Sequence, residues 1–105
     1  MVIDWTDKAK RHLKSIFDFY VETAGRKTAI EMVTDIKVAT KPLTKFPQMA
    51  AIEPILSDLP EKFRSLVVCK HYKVIYYVNN KVVHIFAIWD CRQNPDNLKI
   101  QIKQL

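Results

Sequence analysis

The stretch YKVIYYVNNKVVHIFAIWDC, Tyr72–Cys91, decides the fold. It is two runs of β-branched and aromatic residues on either side of Asn79-Asn80, and asparagine tolerates the positive φ that a tight hairpin turn demands. With FRSLVVCK before it, the segment reads as a meander of three antiparallel strands over roughly 64–70, 72–78 and 82–91. If Asn79 and Asn80 are the two turn residues, Val78 opposes Lys81, Tyr77 opposes Val82, Ile75 opposes His84 and Lys73 opposes Phe86. Unbroken alternation then sorts the hairpin into two faces. Tyr72, Val74, Tyr76, Val83, Ile85, Ala87 and Trp89 form the more apolar one, a seat for packed helices. The other presents Lys73, Tyr77, His84, Phe86, Ile88, Asp90 and Arg92, with Arg64 on the preceding strand a possible neighbour.

Upstream, Thr6 or Asp7 offers a side-chain oxygen to the first free N–H groups of a helix. Ala9, Leu13, Ile16, Phe17 and Tyr20 follow at helical spacing, with lysines, Arg11 and Asp18 opposite, which predicts an amphipathic helix from about Asp7 to Glu22. Gly25 interrupts it. Ala29, Ile30, Val33 and Ile36 mark a second helix that ends before Pro42, and two consecutive helices form an antiparallel hairpin. The Pro-punctuated stretch from Pro42 to Pro60 has room for one helical turn around Ile52 to Leu56, and the tail LKIQIKQL alternates in a way that fits either a last strand or a frayed end. The expected fold class is α+β: an N-terminal helix hairpin on one face of a small, mainly antiparallel sheet.

The chain has 105 residues, nearly half of them apolar, which suits one domain over residues 1–105. One glycine and five prolines leave no linker or repeat. The apolar runs are too short to cross a bilayer, and Asp4 falls where a signal peptide needs an apolar core, so a cytoplasmic location is expected. Cys69 and Cys91 lack metal-ligand spacing and sit in strand-like apolar segments as small hydrophobes. A net charge of +6 fits a polyanionic partner, nucleic acid or acidic protein, and equally a merely soluble basic surface. No phosphate loop, nucleophile elbow or metal signature occurs, so neither cofactor nor metal is expected.

The face carrying Lys73, Arg92 and the aromatics admits two readings. One is a solvated sheet surface. The other is a polyanion site, in which cations grip phosphates while Tyr77 and Phe86 stack bases.

The order of short strand, helix hairpin, proline-containing loop and antiparallel meander resembles the RelE/ParE superfamily of toxins from bacterial toxin–antitoxin pairs. The similarity runs from VIDWTDKAKRHLKSIFDFY to FRSLVVCKHYKVIYYVNNKVVHIFAIWDCRQNP, and is most specific at YKVIYYV and at the D-x-R-Q-N-P end. The resemblance implies a type II toxin, neutralised by an adjacently encoded antitoxin with an acidic segment. It implies ribosome-dependent mRNA cleavage by metal-free 2′-hydroxyl attack, with inhibition of DNA gyrase or a non-catalytic binding module as alternatives. Matched to the RNA-cleaving branch, Arg92, Lys73 and Arg64 become phosphate-stabilising catalytic residues, leaving Asp90 and His84 as the acid/base candidates on that face. After Arg92, where that branch usually has an aromatic or histidine, this chain reads Gln93, Asn94, Pro95. The gyrase-poisoning branch shares the fold without this site.

Overall fold

The computed structural model describes residues 1–92. Strand β1 (Val2–Trp5) leads into helix α1 (Asp7–Ala24), and α2 (Arg26–Thr40) follows directly. A two-residue strand, β2 (Ala51–Ile52), precedes β3 (Arg64–Val68), β4 (Tyr72–Asn79) and β5 (Val82–Asp90). The sheet order is β1-β5-β4-β3-β2, with β1 parallel to β5 and every other pair antiparallel. The α+β reading, the helix hairpin and the meander are all present. The 42–60 stretch holds two 3₁₀ turns, Lys41–Thr44 and Pro54–Leu56. The expectation for the tail concerns residues outside those described.

Thr6 starts α1 as its sequence suggests, its hydroxyl accepting from Ala9 N–H at 3.2 Å. Gly25 lies at φ +93°, in the left-handed region, and so reverses the chain between two helices with no intervening loop. The main core lies between helices and sheet: Leu13 and Ile16 of α1 and Ile36 of α2 pack on Tyr72, Val74, Tyr76, Val83, Ile85 and Ile88.

The hairpin departs from the expected register twice. Its turn residues are Asn80 and Lys81, at φ 51° and 62°, so Asn79 pairs with Val82. This displacement moves both arms together and preserves the faces. The second departure does not: Tyr76 pairs with Ile85 but Ile75 pairs with Ala87, which leaves Phe86 as an extra residue in β5, a β-bulge. Beyond it the faces of β5 exchange. Ile88 and Asp90 lie on the helix side and Ala87 and Trp89 on the outer side, the reverse of the placement expected from unbroken alternation.

The physical reason is visible in the sequence: Ile85 to Trp89 is continuously apolar, so no hydrophobic alternation pins its register. Helix α1 supplies what the bulged edge needs. The Thr6 hydroxyl donates to the carbonyls of Ile85 and Phe86 at 3.0 and 3.1 Å, and His12 Nδ1 accepts from the Ile88 N–H at 3.0 Å.

The outer face is not open. Residues 53–63 fold back across it, and Leu56 and Phe63 bury Ile75, Phe86, Ala87 and Trp89 in a second apolar cluster. The Glu53 N–H donates to Phe63 O and closes this cover.

Candidate functional site

Arg92 follows the end of β5, on the helix side of the sheet, exposed at the mouth of a cleft of about 370 Å³. His12, Ser15 and Phe19 of α1 and Tyr72 of β4 line this cleft with Asp90. The guanidinium forms a two-pronged pair with Asp90, Nε to Oδ1 at 3.0 Å and Nη2 to Oδ2 at 2.8 Å, and the Arg92 N–H also donates to Oδ1. Those bonds hold the Asp90 carboxyl below the usual carboxylate range and raise the arginine further. Asp90 is thus a fixed anion, unsuited to exchanging a proton near neutrality. Deeper in the same region the Tyr72 hydroxyl reaches Tyr20 Oη at 3.5 Å, and burial, followed by that contact, pushes its pKa up.

Lys73 lies on the opposite side of the sheet. Its Nζ meets the buried Glu53 carboxylate at 3.0 and 3.4 Å, and the Ser65 hydroxyl approaches the same carboxylate at 3.4 Å. Arg64 pairs with Tyr76 in the β3–β4 ladder, and its Nη1 donates to Ala50 O at 2.7 Å. Along β4, the Tyr76 position of Arg64 is separated from the Tyr72 position of Asp90 by four residues, roughly 13 Å of strand. The three cations expected to converge on one phosphate therefore occupy three places, one of them on the other face. The shared surface for Lys73 and Arg92 is corrected by the bulge, which turns β5 over between the two.

The other expected residues are equally dispersed. His84 sits on the outer side, 3.4 Å from Asp4 of β1 and stacked on Tyr77 with ring centroids 4.9 Å apart, so it does not share a face with Asp90. Phe86, expected to stack a base, is buried against Phe63, and Lys8 Nζ lies over its ring. Tyr77 is half-buried, with Phe63, His84 and Phe86 around it. Cys69 is half-buried and Cys91 is exposed, whereas both were expected inside strands; both are free thiols.

Two residues that organise these regions escaped sequence reasoning. His12 lies on the helical row Lys8, His12, Ile16, and that row was its only signal. Burial, then the nearby charges of Lys8 and Arg11, lower its pKa and keep the ring neutral as an acceptor for Ile88. Glu53 is the one carboxylate in the apolar run AAIEPIL, which marks it as a group needing a buried partner.

Comparison with known proteins agrees with this architecture. The family model for the ParE toxin of type II toxin–antitoxin systems, parDE, matches residues 3–95. A solved structure described as the chromosomal ParDE TA system from P. aeruginosa is 31% identical, with a TM-score of 0.73, over 86% of this chain and 95% of that one. No curated protein sequence gives a significant match. A short parallel strand, a helix hairpin and a three-stranded meander, matched over nearly their whole length, place this chain in the ParE toxin family of the RelE/ParE superfamily, and as a type II toxin it has a cognate antitoxin.

Proposed function

We propose that the chain acts by binding and inhibiting DNA gyrase, without cutting RNA, until its antitoxin removes it. The observation that carries this reading is the separation of the cations. Stabilising a doubly negative phosphorane requires positive groups aimed at one point. Here Arg92 is engaged by Asp90, Lys73 is engaged by Glu53 on the opposite face, and Arg64 is spent on a backbone carbonyl. The acid/base pair is also divided, because Asp90 and His84 lie on different sides of the sheet. What remains is a basic surface without a convergent phosphate site, which suits an inhibitor that works by contact. The match to the ParE toxin model supports the same reading.

The test adds purified protein to gyrase supercoiling a relaxed plasmid and, separately, to translating ribosomes. Blocked supercoiling with intact mRNA is the expected result. Cuts within codons that vanish in Arg92→Ala would overturn it and restore the phosphate role for that arginine.

A further inference from the structure

The Arg92 cleft keeps hydrogen-bond donors that the fold itself does not use. Arg92 meets Asp90 through one edge of its guanidinium, Nε to Oδ1 and Nη2 to Oδ2, and among the described residues nothing accepts from Nη1. A guanidinium has a second two-pronged edge, Nη1 with Nη2, so this pairing fixes its plane and leaves a fork for another planar acceptor. The side chain is 51% exposed at the cleft mouth. His12 adds a second donor. Its Nδ1 accepts from the Ile88 N–H, so the neutral ring carries its proton on Nε2. Every deeply buried side-chain nitrogen or oxygen among the described residues has a partner, whereas Nε2 has none among them, so solvent reaches that N–H. Both Asp90 oxygens, by contrast, are already taken by Arg92. One wall of the cleft is aromatic: Phe19 is half exposed and held edge-on by Tyr20, with ring centroids 5.1 Å apart.

We propose that this cleft is the contact through which the chain grips gyrase, and that it takes a surface Asp or Glu of the enzyme on the free Arg92 fork, with an adjoining apolar side chain against Phe19. This rests on the gyrase reading above. Unused donors beside a saturated carboxylate select an acceptor, and a planar fork selects a carboxylate that can meet it with two parallel bonds. The charges of Lys8 and Arg11, close enough to act on His12, draw an anion toward this side of α1. Phe19 supplies the apolar anchor that fixes such a pair in a protein interface. A DNA phosphate is the poorer fit. Duplex DNA carries a charge about every 1.7 Å, so the phosphates on either side would pass the Asp90 carboxylate, 2.8 Å from the guanidinium, and leave the Phe19 wall wet. A cationic partner would find the Asp90 oxygens occupied and Arg92 repelling it.

The test uses the full chain with purified gyrase, measuring both affinity for the enzyme without DNA and the concentration that halves supercoiling of a relaxed plasmid. The variants are Arg92→Lys, which keeps the charge and loses the fork, Phe19→Ala, and Lys62→Ala, an exposed lysine outside the cleft. Arg92→Lys and Phe19→Ala are each expected to weaken both readouts by roughly tenfold to a hundredfold, while Lys62→Ala stays within about twofold. Thermal unfolding reports whether each variant folds. Hydrogen exchange on the wild-type complex is expected to slow at residues 15–20 and 88–92, which decides the matter where a variant is unstable. Arg92→Lys at wild-type potency, equal effects from all three variants, or absence of that protection would overturn the proposal. So would binding to plasmid alone that Arg92→Lys abolishes, which would make phosphate the ligand. The two readings fail differently: supercoiling blocked equally by wild type and Arg92→Lys leaves gyrase as the target and removes the cleft, whereas a wild-type chain that leaves supercoiling untouched removes both.

Discussion

Replacing Lys73 with methionine separates a structural role from a catalytic one. The Glu53 side chain is 4% exposed and its Lys73 partner 31%, with Nζ to Oε1 at 3.0 Å. Lys73→Met keeps the length of the stem but leaves a carboxylate in the second apolar cover with only a long contact to Ser65. Breaking a fully buried pair costs about 3–5 kcal/mol, and because Lys73 is nearly one-third exposed, water relieves part of this, leaving about 2–4 kcal/mol. For a domain of this size that lowers Tm by roughly 10–20 °C. Adding Glu53→Gln removes the stranded charge, so the double variant is expected within about 1 kcal/mol of wild type. Urea and thermal unfolding of wild type, both single variants and the double variant close the cycle. A single variant that loses less than about 1 kcal/mol, or a double variant no better than Lys73→Met, would refute the reasoning. The double variant is also expected to arrest growth as wild type does. If it folded well and were harmless, Lys73 would have to touch the target.

Three further outcomes are expected. His12 is held neutral with a pKa below its ordinary value of 6.5, so as pH falls the unfolded chain takes up that proton first. Its contribution is complete above that value and lost below it, and Tm measured from pH 7.5 to 5.5 should fall more steeply in wild type than in His12→Gln. Tyr76→Phe deletes the hydroxyl that donates to Pro47 O at 2.8 Å in a fully buried setting, which should cost about 1–2 kcal/mol in chemical denaturation without a change in toxicity. Thr6→Val removes both the α1 cap and the donor to the bulge, and should lower stability by about 1–2 kcal/mol, with amide exchange of Phe86 to Ile88 accelerated ahead of the rest of β5.

Elements with a strong local signature were legible in the sequence. The cap at Thr6 and the apolar row of Leu13 and Ile16 specify α1, and Gly25 specifies the reversal. The β-branched runs specify three strands of the meander to within a residue or two. Tyr76, Val83 and Ile85 fall on the helix side as their alternation requires. The site was legible only as a set of residues, not as an arrangement. Ile85 to Trp89 is buried on both faces, and a strand buried on both faces carries no period that could betray an inserted residue. The cover over the outer face was hidden for a different reason. Residues 53–63 hold one 3₁₀ turn and little regular structure, so Leu56 and Phe63 carry no repeating pattern, and their destination is set by Glu53 finding Lys73 across the chain.

The bulge shows how one residue can decide on which side of a sheet the charges beyond it lie. Without Phe86 as the extra residue, unbroken alternation would turn Trp89 toward the helices and put Asp90 and Arg92 on the face of Lys73. With it, the indole of Trp89 joins Phe63 and Leu56 in the outer cluster, and Arg92 swings to the helix side beside Tyr72 and His12. The same insertion leaves Ile88 without a strand partner on its β1 side, because β1 ends at Trp5, and His12 fills that gap from α1. A bulge held by Thr6 on one side and His12 on the other is tied to the helix hairpin itself. Helix placement, the register of β5 and the separation of Arg92 from Lys73 are thus one structural decision, and reversing it would require rebuilding the α1–β5 contact along with the arginine.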